Sequence, residues 1–384
     1  MNLANASNIT IGSTSVSAVY LGNTLIWPST PTHDYSTDYL TFEALQNTTF
    51  KFTRNDLQYS IDNGSTWTTL GANTASPTVT TGTKIMWKQT GLTPREYYGI
   101  GTFSATGNFK AYGNIMSLYY GDNFVGEDDL TGKNDAFFDL FYGNTKIIDT
   151  SNLILPATTL ADSCYAQMFF ECTSLTTAPS LPATTLTAQC YTAMFRGCTS
   201  LTTAPSLSAT TLAHYCCSDM FYGCTSLTTA PSLSATTLAN ECYDHMFYGC
   251  TSLTTAPELP VTTLAEKCYS NMFEGCTSLT TAPHELPATI LTLLCYGYMF
   301  RGCTSLTTAP ILPATTLTTW CYESMFEGCT NLNYIKCLAT NIYGNYTYDW
   351  VSNVAASGTF VKDANTSWTT GTSGIPTGWT VQNA

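Results

Sequence analysis

The residues best equipped for chemistry in this chain are cysteines, and their spacing is regular. All 16 lie at or after Cys164, and 14 of them fall into two recurring slots. One slot holds Cys164, Cys190, Cys216, Cys242, Cys268, Cys295 and Cys321; the other holds Cys172, Cys198, Cys224, Cys250, Cys276, Cys303 and Cys329. A disulfide framework is the first chemistry such a pattern suggests. Geometry opposes pairing within one copy, because eight residues along a helix would part Cys190 from Cys198 by about 12 Å, beyond disulfide reach. Cysteines of one slot in adjacent copies come closer, yet a column of seven leaves one over. Zinc needs closely paired thiolates, and the adjacent Cys216 and Cys217 have no such partner set. The expectation is a ladder of small, free thiols packed in a core.

The remaining reactive side chains form no recognisable site. His33, His214, His245 and His284 fall in a linker, two variable repeat positions and an insertion, which predicts solvated imidazoles rather than a general base. Asp122, Glu127, Asp128 and Asp129 in GDNFVGEDDL offer oxygens for calcium, but their spacing is not that of an EF-hand loop, and a solvated turn is expected. Phosphate-binding loops, G-x-S-x-G and H-E-x-x-H are missing. No enzyme, cofactor or metal is therefore expected. With 26 acids against 13 bases and a net charge of −13, binding to a phosphate backbone is disfavoured as well. Only 10% of residues are charged, so the surface must be hydroxyl-rich rather than ionic.

The cysteines belong to a longer repeat. From Cys172 the second slot returns every 26 residues, with one copy of 27 where His284 and Glu285 add a residue. A fixed period in the twenties signals a solenoid, here of seven copies. In each copy, apolar residues such as Cys190, Tyr191, Met194, Phe195 and Cys198 fall at i, i+1, i+4, i+5 and i+8, which predicts a helix of two to three turns ended by Gly197. The Thr-rich clauses TSLTTAP and SLSATTLA predict two brief strands. Stacked at about 4.8 Å per rung, such units would bury Leu, Met, Phe and Tyr columns between a sheet and a helix layer.

The string MFxGCTSLTTAPxLPATTLAxxCY resembles the BspA-like, Treponema-type leucine-rich repeats, marked in the second copy by Phe195, Gly197, Cys198, Ser200 and Leu201. The resemblance covers roughly residues 138–337 and implies an α/β leucine-rich-repeat solenoid. That family includes adhesins and surface proteins. The solenoid is placed at 155–337, with an N-terminal cap at 137–154, where Asn144 takes the cysteine slot, and a C-terminal cap at 338–384 anchored by Trp368 and Trp379. Alternation around Asn63-Gly64 predicts an immunoglobulin-like β-sandwich over 39–136. Residues 31–38 read as a linker, and 1–30 as a short β module; SNITIGSTSVSAVYLGNTLIW resembles the N-terminal module of virion proteins from phages of gut Bacteroidales.

Recognition is expected from the repeats. Comparing copies, the Thr-rich clause is nearly fixed, whereas Phe170, Arg196, Tyr222, Tyr248, Glu274, Arg301 and Glu327 vary and would form an exposed stripe. Tyr and Arg suit such contacts. The hydroxyl-rich strand face, with Ser174 and Thr176 repeated, is the competing surface, and aromatic with hydroxyl groups suits glycans. The N-terminal 20 residues do not read as a signal peptide, and no run of 18 apolar residues exists. These observations lead to an expected phage structural protein on the virion exterior. Its N-terminal module would bind other virion proteins and its solenoid a host-surface protein or glycan, with no nucleic acid or membrane insertion and with homo-oligomers allowed. The alternatives are a BspA-like bacterial surface adhesin and an ice-binding solenoid; adjacent Thr-Thr pairs, expected to point to opposite strand faces, weigh against the last.

Overall fold

The computed structural model describes residues 33–89, 99–342 and 344–384, together with four short strands ahead of them. These are β1 (Thr10–Ile11) with β2 (Thr14–Ser15), and β3 (Val19–Leu21) with β4 (Thr24–Trp27), each pair antiparallel. The rest of the expected 1–30 module lies outside the described residues. Residues of the expected linker are folded: Asp34 caps a 3-10 turn at Tyr35–Thr37, and the Asn114 amide donates to the Ser36 carbonyl at 3.0 Å.

The next strands are β5 (Leu40–Ala44), β6 (Phe50–Phe52), β7 (Leu57–Ser60), β8 (Thr68–Leu70), β9 (Lys84–Gln89), β10 (Phe103–Ala105) and β11 (Phe109–Asn114). Their alternating apolar residues form a core of Phe42, Phe50, Phe52, Trp87, Phe103 and Phe109, all fully buried. The immunoglobulin-like sandwich expected from this alternation is not the arrangement found. Strands β6 and β10 pair alone, while the main sheet runs β12-β11-β5-β9-β7-β8 with β13 also on β11. Strands β12 (Ile147–Asp149) and β13 (Leu153–Ile154) come from the expected cap and lie parallel to β11. The β-domain and the first repeat turn therefore share one sheet and one continuous core.

The repeats correct the expected α/β class. Among the described residues the only α-helix is α1 (Ser117–Tyr120), outside the repeats. Where a helix was expected, Gln189, Ala193 and Gly197 have φ of 56°, 52° and 74°, a left-handed residue every fourth position. The N–H groups of Cys190, Thr192, Met194, Arg196 and Cys198 close turns three residues back. Those of Gln189, Tyr191, Ala193, Phe195 and Gly197 instead reach carbonyls of the next copy. An α-helix would keep every interior N–H to itself. Here half of them tie copies together, which offsets the cost of about 1–2 kcal/mol that each non-glycine left-handed residue carries. Among the described residues no β-branched residue occupies such a position.

The expected strands are also shorter than strands. Each copy makes single-residue parallel bridges, such as Thr203 with Thr229, Leu207 with Leu233 and Thr211 with Thr237. Proline after each TTA removes a donor and ends the ladder. Between the two sides, Phe169, Phe195, Phe221 and Phe247 stack nearly parallel with ring centroids 5.4–5.6 Å apart. Tyr243, Tyr269, Tyr296 and Tyr322 form a second stack.

The lateral bonding extends beyond the expected repeat limits. Asp135, Phe137, Phe141 and Gly143 bond forward to the first cysteine-bearing copy, and Tyr322, Ser324, Phe326 and Gly328 bond forward to Tyr346, Tyr348, Trp350 and Ser352. The segment from 338 thus begins with another turn, shortened to a spacing of 24. Trp350, fully buried, stacks on Tyr322 at 6.2 Å and on Trp368 at 5.6 Å. The end is closed by a parallel sheet of β14 (Tyr334–Cys337), β15 (Thr359–Lys362) and β16 (Thr380–Asn383), with Trp379 donating to the Ala355 carbonyl at 2.7 Å. Among the described residues no helix is long and apolar enough to cross a membrane.

Candidate functional site

On the turn side the variable positions do form one column. Each precedes a left-handed residue, and lateral bonds bring successive copies into register. Tyr142 stacks on Phe170 at 4.8 Å; the Arg196 guanidinium lies 5.8 Å from the Phe170 ring centre and 3.9 Å from that of Tyr222; Tyr222 stacks on Tyr248 at 4.4 Å. Farther along, Arg301 bridges Glu274 at 3.4 Å and Glu327 at 3.0 Å. Arg196 also pairs with Asp219 at 2.8 Å. All seven residues are half-buried.

This arrangement limits what the stripe can do. Ring faces are the part of an aromatic side chain that would stack on a sugar or a partner's ring, and those of Phe170 and Tyr222 are covered on both sides, by Tyr142 and Arg196 and by Arg196 and Tyr248. The two arginines are already matched by carboxylates. Burial raises the pKa of both Asp219 and Glu274 despite those partners. Burial alone would lower His245, but its hydrogen bond to Asp244 and the charges of Asp244, Asp219 and Glu274 outweigh it and raise its pKa. The column is a self-satisfied ladder that presents ring edges and hydroxyls.

The strand side is different. Both members of each Thr pair, including Thr202 and Thr203, Thr228 and Thr229, and Thr254 and Thr255, are exposed. The expectation that adjacent threonines face opposite ways fails, because a single bridge is not a pleated strand. The first hydroxyl of several pairs is tied down: Thr228 Oγ1 donates to Thr202 O and Thr280 Oγ1 to Thr254 O, both at 3.2 Å.

In this column the bridges alternate. Asp149 pairs with Thr177, Thr203 with Thr229, Thr255 with Thr281 and Thr308 with Tyr334. No backbone hydrogen bond joins Thr177 to Thr203, Thr229 to Thr255 or Thr281 to Thr308. Clefts lie at the latter two gaps. One of 480 Å³ is lined by Thr228–Leu233 and by Thr254–Glu258 with Pro260, and one of 430 Å³ by Thr280–His284, Thr307–Ala309, Ile311, Tyr334 and Lys336.

At the first of these clefts the opening crosses the whole strand side, since Leu233/Leu259 and Thr237/Thr263 are unbridged too. A further cleft of 250 Å³ continues it past Pro260 to Thr263. Val261 stands at the break. The same position holds buried Ala183, Ala209, Ala235, Ala288 and Ala314 in other copies, whereas Val261 remains half-exposed. Two extra methyls do not fit the alanine slot. Pro260 is not the cause, because Pro182 stands in the same place beside an intact Leu181–Leu207 bridge. Comparing copies for a lone Val among Ala would have pointed to this site in the sequence.

The other candidates are placed apart. All 16 cysteines are buried with free thiols. Cys198, Cys224 and Cys250 each donate through Sγ to a phenylalanine carbonyl of the preceding copy at 3.1 Å, so the second slot serves as a hydrogen-bond donor as well as a filler. Burial pushes the thiols of Cys164, Cys224, Cys276 and Cys329 up to about 12. Cys217 takes the place of a tyrosine and interrupts the ring stack between Tyr191 and Tyr243. His33 pairs with Asp38, His214 bonds to the Asn240 carbonyl, and His284 borders a cleft. Asp122 accepts from Lys88 Nζ at 2.6 Å and Tyr39 Oη at 2.7 Å; Asp129 accepts from the Thr131 N–H. Among the described residues no three His, Cys, Asp or Glu side chains are grouped to hold a metal ion.

Comparison with known proteins bears on the repeats. Residues 140–254 and 218–354 match the family model for the BspA type leucine rich repeat region, in six copies. Three solved chains match as well. One is a leucine-rich repeat protein from Bacteroides ovatus, 15% identical over 64% of this chain and 86% of that one, with a TM-score of 0.23, a superposition too loose to argue from. Curated proteins give no match. The family model extends through the shortened turn that ends near Trp350 and spans more than half of the sequence, and the chain belongs to the BspA-type leucine-rich repeat family.

Proposed function

We propose that this chain is a non-enzymatic attachment protein whose repeat stack is displayed on a surface and holds a protein or glycan of a neighbouring cell. The observation that carries the reading is the register of its exposed side chains: columns of paired threonines, such as Thr202 and Thr203 with Thr228 and Thr229, recur in line across copy after copy. Such columns give a large, rigid surface at little entropic cost on binding. Proteins of this repeat class are generally non-enzymatic and many act at cell surfaces, which supports display on a bacterium. A second reading, an exterior component of a phage particle, is favoured by the likeness of residues 7–27 to virion modules.

Peptide mass spectrometry separates the two when applied to gradient-purified phage particles and to the washed envelope of uninfected cells. Enrichment in the envelope supports the surface adhesin, and enrichment in particles the virion protein. Beads coated with the chain should adhere to cells in either case; beads that fail to adhere to every cell type tried would remove the attachment reading itself.

A further inference from the structure

The attachment reading leaves open which face binds and what it binds. Resting on that reading, we infer that the strand side is the binding face and that its ligand is an uncharged, linear β-1,4-linked polysaccharide lying along the stack over the clefts at Thr229/Thr255 and Thr281/Thr308.

Three observations lead there. The first is hydrogen-bonding capacity. On the turn side backbone groups are consumed within or between copies, and the faces of Phe170 and Tyr222 are covered. At the two clefts no backbone hydrogen bond joins Thr229 to Thr255 or Thr281 to Thr308, and the hydroxyls of these four threonines stand exposed; the second gap closes again at Ile311, whose N–H donates to the His284 carbonyl at 3.1 Å. Alanine and proline in the same walls supply apolar patches for the carbon faces of a sugar.

The second observation is period. The gaps recur at every second copy, so like groups return at about 10 Å, twice the spacing of adjacent bridged strands. In an extended β-1,4-linked chain every second sugar presents the same face, and a disaccharide is close to that length. A chain with such a two-residue repeat would meet equivalent clefts with equivalent faces. An α-1,4-linked chain curls and would lose register after one cleft.

The third is charge. Glu258 is the only charged side chain at the larger cleft, and Lys336 is the only cation at the other. With a net charge of −13 on the protein, an acidic polysaccharide would be repelled, whereas a neutral one needs no counter-charge.

Titration calorimetry with β-1,4-linked glucose and N-acetylglucosamine oligomers of two to six units tests the inference, with maltohexaose as the α-linked comparison. Affinity for at least one β-linked series should rise steeply once the oligomer spans both clefts, and maltohexaose should bind at least about tenfold more weakly. Thr255→Arg and Thr308→Arg each place a long side chain at one cleft without touching a buried residue, and each should weaken hexamer binding about tenfold, the loss of one or two hydrogen bonds. Tyr222→Ala, on the opposite column, should leave it unchanged. The inference is overturned if neither β-linked series binds, if maltohexaose binds equally well, or if Tyr222→Ala abolishes binding while both arginine variants retain it. Cell adhesion measured with the same variants keeps the two levels apart. Adhesion that survives both arginine substitutions would discard the strand-side glycan site and leave the attachment reading standing.

Discussion

If Val261 holds the strand side open, Val261→Ala should stabilise the protein, against the usual effect of removing methyls. Truncating a half-exposed valine removes two half-buried methyls, about one buried methyl equivalent in all, a cost near 1 kcal/mol. Closing the ladder at Leu233/Leu259 and Thr237/Thr263 forms up to four backbone hydrogen bonds. Groups already wetted gain at the low end of the net range, about 0.5 kcal/mol each, or about 2 kcal/mol together. The balance is a stabilisation of about 1 kcal/mol. Urea unfolding reads the sign, and hydrogen exchange reads the mechanism: amides at Leu238, Thr262 and Thr263, whose equivalents Leu212, Thr236 and Thr237 are bonded across intact gaps, should exchange more slowly in the variant. A destabilisation of about 1 kcal/mol with unchanged exchange at these amides would refute the account, because it would make Val261 an ordinary packing residue and the cleft independent of it.

Other perturbations probe the core and the charges. Cys224→Ala deletes the Sγ donor to Phe195 O and leaves a small void, so unfolding free energy should fall by about 1–2 kcal/mol, measured by denaturant titration. Because burial holds thiols such as Cys224 near 12, labelling of the native protein by a disulfide reagent should be slow and limited by opening, whereas all 16 should react at once in denaturant without reductant. Trp350→Ala should cost about 3–5 kcal/mol and loosen the C-terminal turn before the rest, seen as early proteolysis there. Burial raises the carboxyl of Asp139 from 3.8 to about 6, with Oδ1 unpartnered. The folded state therefore holds its proton more tightly, and this residue's contribution to stability is fullest below 3.8 and is lost as pH rises through about 6. Asp139→Asn, which suits the left-handed backbone there, should raise the melting temperature more at about pH 7.5 than at about pH 4.5.

The 26-residue period, the buried cysteine slots and the family were legible because they depend on residue type at fixed spacing. Local conformation was not. Apolar residues at i, i+1, i+4, i+5 and i+8 fit a helix face, but they fit a four-residue turn repeat equally well, and the deciding feature is the left-handed residue at every fourth position. Glycine advertises it only at Gly197 and its equivalents; Gln189 and Ala193 adopt the same conformation silently, since lateral bonds rather than side chains impose it. The last turn was missed for a related reason. Its spacing drops to 24 and Trp350 replaces the smaller aromatic, so the letters fade while the backbone pattern continues. The stripe from Phe170 to Glu327 was visible as variation, but variation cannot reveal that neighbouring rings cover one another.

That last point decides which face has binding capacity to spare. A column of rings in register gains stacking energy from its neighbours, and each gain removes a face from the surface available to a partner. The same holds for Arg196 and Arg301, whose charges are spent on Asp219, Glu274 and Glu327. Regularity on the turn side therefore turns recognition-type residues into cohesion between copies. On the strand side the reverse occurs: proline cuts each ladder short, the gap beside Val261 runs across the full width, and alternate copies leave hydroxyls and backbone edges unspent. Imperfect stacking there is what keeps hydrogen-bonding groups at the surface, and a ligand rich in hydroxyls can use them.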